Sequence, residues 1–129
     1  MSSENKVPCP IDKAVELFKK KWTIQIIRDM FFGKKQFNQF KEDKPNLSNK
    51  VLSACLKDMI SNGLITKKMI DDDGTKIIEY SLTDLGQSLN KVIYELAIFT
   101  LEKCNYVEYK NEETKLELKN VFQETLNIN

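Results

Sequence analysis

Apolar residues recur along this chain first at helical spacing, then at the period of a hairpin, then at helical spacing again. Ile11, Ala14, Val15 and Phe18 fall at i, i+3, i+4 and i+7, which predicts a short amphipathic helix begun after Pro8-Cys9-Pro10. A second helix is predicted from Trp22 to Phe32. Its rows Trp22–Ile26–Met30 and Ile27–Phe31 make a broad apolar stripe, and Gly33 ends it. A third, short helix near Gln36–Glu42 sets Phe37 and Phe40 on one side. Pro45-Asn46 follows as a turn, because proline lacks an amide hydrogen and disfavours helix in the residue before it.

Ser48 then has the character of an N-cap. Behind it Leu52, Cys55, Leu56, Met59 and Ile60 repeat helically and are expected to face inward, until Asn62-Gly63 stops the helix. That leaves Asn49, Lys50, Ser53, Ala54 and Lys57 outward, a face basic at its edges and small in its middle. Period two takes over in Leu64–Asp71 and Thr75–Leu82, joined by Asp72-Asp73-Gly74 as a hairpin turn. Ile78, Tyr80 and Leu82 alternate with Ile77, Glu79 and Ser81, so one face is expected to pack on the helices.

Thr83 is the expected cap of one long helix running from Asp84 to about Cys104. From Val92 onward that helix is apolar most of the way round, through Ile93, Leu96, Ala97, Ile98, Phe99 and Leu101. Such a helix is buried on more than one side, and in so small a domain the second side is expected to meet a partner subunit. After a polar stretch, Asn105–Glu113, the residues Leu118, Val121, Phe122 and Thr125 predict a final helix.

Composition narrows the chemistry. With 129 residues the chain is one domain, and 41% hydrophobic against 30% charged residues is an ordinary globular balance. No apolar run approaches the roughly 20 residues that span a bilayer, so no membrane role is expected. The polar start Met1–Val7 lacks an apolar stretch behind a charged one, so no secretory leader is expected and the cytoplasm is the expected compartment. There is no histidine, which removes Ser-His-Asp and Cys-His catalysis and every histidine-containing metal site. Cys9, Cys55 and Cys104 are scattered, without the paired spacing of a zinc site or of a disulfide framework. Phosphate-binding glycine loops are missing too, so neither enzyme activity nor a metal or cofactor is expected.

Charge changes the picture more than composition does. Residues 19–68 hold twelve basic and four acidic side chains, a net +8, whereas residues 83–129 come to −3. A basic middle suggests a surface for a polyanion, although a lysine-rich solvated surface has the same signature.

A short helix, a turn and a capped helix with a polar face, followed by a β-hairpin, is the order of a winged helix-turn-helix. The fold expected is thus mainly α with a small β-hairpin (α+β). Specific residues add to the topology: Cys9-Pro10, Lys21-Trp22-Thr23, Phe37 with Phe40, Leu47-Ser48-Asn49-Lys50-Val51-Leu52, Leu56-Lys57, Asn62-Gly63-Leu64-Ile65 and Glu79-Tyr80-Ser81-Leu82-Thr83-Asp84-Leu85-Gly86. In that order they resemble HxlR-type transcriptional regulators over about residues 8–104. The resemblance implies a homodimeric, cytosolic DNA-binding regulator whose first helix and long C-terminal helix build the dimer. It also implies that the cysteine of the Cys-Pro pair, here Cys9, senses oxidants, quinones or aldehydes, as in some members.

The chain departs from that pattern at several points. Lys20 stands where a glycine usually precedes Lys-Trp, and Gln36 replaces an arginine expected to touch phosphate. The hairpin tip, Asp71-Asp72-Asp73-Gly74, is acidic and is repelled by phosphate, which leaves Lys67, Lys68 and Lys76 on the stem for backbone contact. The tail after Asn105 is longer than the family's usual end.

The expected organisation is therefore a flexible start over 1–7, a winged helix-turn-helix with dimerisation helices over 8–104, and a helical extension over 105–129. The expected partner is double-stranded DNA, read as a pseudo-palindrome by a homodimer, with no sequence-level indication of operator or sign of regulation. The candidate DNA-binding residues are Gln36, Ser48, Asn49, Lys50, Ser53, Ala54, Lys57, Lys67, Lys68 and Lys76. Within the helix begun at Ser48, Asn49 has the amide to pair with adenine, Ser53 and Ala54 permit close approach, and the lysines grip phosphate. With Arg28 the one arginine, readout leans on backbone and shape. A winged-helix module binding protein rather than DNA is the alternative, but it has no need of the basic segment. Cys9 sits at a helix start, which favours thiolate, although Asp12 opposes this. Its expected partner in redox sensing is Cys104 of the other subunit, while Cys55 fits a plain core thiol. Trp22, Phe31, Phe32, Phe37 and Phe40 are expected to be core rather than a base-stacking platform.

Overall fold

The structure, a computed structural model, describes residues 7–129. Most of the segment 1–7, expected to be a flexible start, thus lies outside the described residues. Helix α1 is Pro10–Leu17, α2 Thr23–Phe31, α3 Phe37–Lys41 and α4 Asn49–Ser61. Strands β1 (Ile65–Asp72) and β2 (Thr75–Leu82) follow, then α5 (Asp84–Gln87), α6 (Asn90–Lys103), a 3₁₀ turn at Val107–Tyr109 and α7 (Glu112–Thr125). No helix among the described residues is long and apolar enough to cross a membrane.

The core forms where α2, α4, the base of the hairpin and α6 converge. Ile26 and Ile27 of α2, Leu52, Cys55, Leu56 and Met59 of α4, and Leu64, Ile65, Tyr80 and Ile93 are buried together with Phe40 and Leu47. Cys55 accepts this placement readily: its Sγ lies 3.6 Å from the Thr23 hydroxyl, so the one buried hydroxyl between α2 and α4 is not left unpaired. Ile60 departs from the expectation. It is exposed, because at the last turn of α4 its side of the helix overhangs the cleft toward β1 rather than the core. Of the aromatic set, Phe40 is fully buried, and Trp22, Phe31 and Phe37 pack against the core. Phe32 is half exposed and meets the C-terminal helix instead.

β1 and β2 pair antiparallel, Ile65 opposite Leu82 and Asp72 opposite Thr75. The loop is therefore the two residues Asp73 and Gly74, with φ of 50° and 80°, and Asp72 is the last residue of β1 rather than part of the turn. Two consecutive positive φ values match the right-handed twist of a hairpin, and Asp-Gly is a pair that tolerates them. The amide of Tyr80 donates to the carbonyl of Lys35 at 2.8 Å, which ties the hairpin to the link before α3.

The long helix expected from Asp84 to Cys104 is two helices. Thr83 caps α5 by accepting from the Gly86 amide at 3.1 Å, while its hydroxyl donates to the Gly63 carbonyl. A Cβ on Gly86 would stand 2.2 Å from the Leu64 carbonyl oxygen, so α5 is pressed against the start of β1. The Ser88 hydroxyl then donates to the Leu85 carbonyl at 2.6 Å, and the chain steps through Ser88 and Leu89 before α6 begins. A serine bonding locally to the backbone is a common way to interrupt a helix.

The final helix forms as the periodicity of Leu118, Val121 and Phe122 predicts, capped by Asn111, whose side chain accepts from the amides of Glu113 and Thr114. Beyond it Leu126 is fully buried among the core residues, and the Leu126 carbonyl accepts from the Asn90 side-chain amide at 2.9 Å.

Candidate nucleic-acid interface

Ser48 begins the interface. Its extended backbone stands at the N-cap of α4, and its hydroxyl accepts from the Val51 amide at 3.1 Å, satisfying a donor that the helix start leaves open. With Leu52, Cys55, Leu56 and Met59 held inside, Asn49, Lys50, Ser53, Ala54 and Lys57 are all exposed along the opposite face. α3 and α4 with the turn between them make the helix-turn-helix. Gln36 is the N-cap residue of α3 and half-buried, with its backbone N–H donating to the Gln39 side-chain oxygen at 2.9 Å.

The hairpin sorts its lysines by pleat. Lys67 lies opposite Tyr80 and Lys76 opposite Asp71, on the hairpin face that turns toward α4. Ser53, Leu56, Lys57, Ile60, Lys67 and Tyr80 together line a cleft of about 340 Å³ between α4 and the hairpin. Lys68 is opposite Glu79 and projects from the other face. Lys57 and Lys67 therefore share one cleft with Ser53, whereas Lys68 stands apart from it.

Two features of this surface carry no signal in the hydrophobic pattern. Lys41, at the end of α3, donates from Nζ to the side-chain oxygen of Asn49. Lys44, counted with the basic surface in the sequence, is instead buried. Its ammonium meets Asp29, the Phe40 carbonyl at 2.9 Å and Asp43 at 2.9 Å, so each of its donors has a partner. Arg28 donates twice to the other carboxylate oxygen of Asp29, Oδ1, at 2.9 and 3.2 Å, while Lys44 holds Oδ2. The Lys44 side chain is 4% exposed and that of Asp29 5%. This cluster fastens the α3–α4 link to α2 and so sets the angle at which α4 is offered to solvent. It also removes Lys44 and Arg28 from the charge available to a polyanion. The Lys44 bond holds the Asp43 carboxyl well below its ordinary range, at about 2.

The thiols are distributed as follows. Cys9 is exposed at the N-cap of α1, Cys104 is half-buried at the C-cap of α6, and Cys55 is buried, where loss of solvent pushes its pKa up. Among the described residues there is no cluster of histidine, cysteine and carboxylate side chains able to hold a metal ion.

A capped helix-turn-helix with a two-stranded wing is shared by many regulators. The matching family is decided by residues 17–108, which fit the model of the HxlR-like helix-turn-helix. The chain belongs to the HxlR-like family. Its HxlR-like relatives are helix-turn-helix transcriptional regulators, and the chain is a DNA-binding regulator of that type. The uncharacterized HTH-type transcriptional regulator YvaP of Bacillus subtilis is 34% identical over 73% of this chain and 87% of its own length. The HTH-type transcriptional regulator YodB of the same organism is 30% identical, over 83% of this chain and 96% of YodB. The reduced form of YodB superposes with a TM-score of 0.65 at 28% identity, covering 77% of this chain and 97% of YodB, and YodB has also been solved with quinone bound. A MarR-family regulator from Porphyromonas gingivalis superposes with a TM-score of 0.64 at 33% identity, over 80% and 97% of the two chains. The match to the HxlR-like model stops near the 3₁₀ turn, so α7 lies beyond it.

Proposed function

We propose that this chain binds an operator in duplex DNA as a homodimer and regulates transcription in the cytoplasm, with α4 in the major groove. The observation that carries this is the α4 face itself: Asn49, Lys50, Ser53, Ala54 and Lys57 all exposed, beside Lys67 in the α4–hairpin cleft. A helix enters the major groove with its first turns toward base edges, and lysines at its edges and on a wing meet phosphate. Ser48 and Gln36 sit at helix starts, where backbone N–H groups and side-chain hydroxyl or amide groups donate to phosphate oxygens. Lys76 faces the backbone from the α4 side of the wing, and Lys68 reaches it only from the other face.

The homodimer is supported by the apolar residues left uncovered. Ile11 and Val15 of α1 and Val92, Leu96 and Phe99 of α6 are exposed, with Phe99 at 59%. Two copies pairing these helices would set two α4 helices about one turn of DNA apart, roughly 34 Å.

A thiol switch is the finer part of the reading. Cys9 and Cys104 stand at the ends of the same two helices, α1 and α6, that carry the uncovered apolar faces. Oxidation of Cys9 and Cys104 of the partner subunit to a disulfide, with two protons and two electrons passing to an oxidant or quinone, would lock those helices and alter the spacing of the two α4 helices. YodB, solved with quinone bound, is the relative that suggests this class of signal.

The experiment is a gel shift of the full chain on the DNA upstream of its own gene, with and without diamide. A salt-sensitive shift abolished or altered by diamide, and insensitive to it in Cys9→Ser, is expected. A shift unaffected by diamide overturns the thiol switch alone. No shift in either condition overturns the operator reading.

A further inference from the structure

The geometry points to Lys41 as a positioning residue that makes Asn49 a reader of guanine. This inference rests on the proposed placement of α4 in the major groove. A free asparagine amide has an acceptor and two donors, which is why it can pair bidentately with adenine, taking a proton from N6 and giving one to N7. In this protein the acceptor is engaged, because the Lys41 ammonium donates to the Asn49 side-chain oxygen. Lysine can only donate, so the atom facing it is the oxygen and the amide nitrogen faces away. That oxygen keeps a second lone pair, but an adenine amine brought to it would stand beside the bound ammonium, whose positive charge opposes the amine's hydrogens.

The free groups of the pair are therefore chiefly donors: two hydrogens on the amide nitrogen and the remaining two on the Lys41 ammonium. In the major groove guanine presents two adjacent acceptors, O6 and N7, whereas adenine and cytosine each present an amine. A donor-rich, positively charged pair at the first residue of α4 matches the guanine edge and disfavours an exposed amine. Both residues are placed for this. Asn49 is exposed at the start of α4, and Lys41 ends α3, so the two arms of the helix-turn-helix build the reading group jointly. Lys41 is half-buried, which limits the positions its ammonium can take.

The test is selection of binding sites from a randomised duplex pool by the full chain, by Asn49→Ala and by Lys41→Met. The position that Asn49 reads is the one whose preference relaxes in Asn49→Ala. Guanine is expected there, and 7-deazaguanine in its place should weaken the unsubstituted protein at least about fivefold while leaving Asn49→Ala unaffected. Lys41→Met should move the preference at that one position toward adenine, since the amide oxygen is then free. A Lys41 acting only through charge would weaken every sequence alike and move no base preference. Adenine selected by the unsubstituted protein, or an unchanged preference in Lys41→Met, overturns the inference while leaving duplex binding intact. Absence of saturable duplex binding by any variant overturns the DNA placement of α4 as well.

Discussion

The ring of Phe122, on the last helix, stands edge-on to that of Phe32 at the end of α2, with centroids 5.7 Å apart and planes at 79°. Edge-to-face pairing at this distance adds to the burial of the two rings. The segment beyond the family match is thus fastened to the helix that supports the helix-turn-helix, and Leu126 completes the core behind it.

Removing that fastening should loosen the whole fold. Leu126→Ala is expected to lower stability by about 2–5 kcal/mol, the range for emptying a fully buried leucine site. A chain ended at residue 108 should melt at a markedly lower temperature. Thermal unfolding followed by circular dichroism checks both, and a truncated chain with unchanged melting would show that α7 only rests on the surface.

The cluster around Lys44 makes a second prediction. Asp29→Ala leaves a buried ammonium with one fewer anionic partner, and breaking a buried pair in this way costs about 3–5 kcal/mol. Replacing both residues with apolar ones of similar size should recover most of that loss. Asp43 adds a pH dependence. Its pKa is depressed from 3.8 to about 2, chiefly by the bond from Lys44, so its contribution is fully present above about pH 4 and is lost as pH falls through 2. Acid titration of unfolding should therefore be shallower over that window in Asp43→Asn than in the unsubstituted protein.

Much of this arrangement is legible in the residues, and the exceptions share a cause. Leu52, Cys55, Leu56 and Met59 announce the inner face of α4 by spacing, and Ser48 announces its start by its hydroxyl. Asp73-Gly74 fixes the hairpin because few other pairs accept two positive φ values. Periodicity is blind to contacts between distant segments. It cannot tell that Lys44 folds inward onto Asp29, that Lys41 reaches Asn49, or that Leu126 lies under α6. It likewise continues a helix through Ser88, where competition for the Leu85 carbonyl divides α5 from α6.

Thiol accessibility separates the three cysteines. Cys9 is exposed and should alkylate fully in the native protein, while Cys55, buried with its pKa raised by desolvation, should remain unlabelled until unfolding. Peptide mass spectrometry after brief iodoacetamide treatment reads this directly. Native labelling of Cys55 as fast as Cys9 would contradict the packing of α4 on α2.

The dimer reading predicts different outcomes for neighbouring residues of α6. Ile93 is buried within its own chain, so Ile93→Asp should unfold the protein, whereas Leu96 and Phe99 are exposed. Leu96→Asp and Phe99→Asp should give folded monomers by sedimentation. A monomeric unsubstituted protein at micromolar concentration would contradict the assignment of that face.

The most direct test of the central claim is a fluorescence anisotropy titration of the full chain on its own upstream duplex over a series of salt concentrations. A lysine-lined α4 interface predicts an affinity that falls steeply and linearly in log–log form, because each neutralised phosphate releases counterions. Lys57→Ala should weaken binding to all sequences and reduce the slope by about one. Binding that is independent of salt, or a slope unchanged by Lys57→Ala, would contradict the claim that α4 and its lysines hold the DNA.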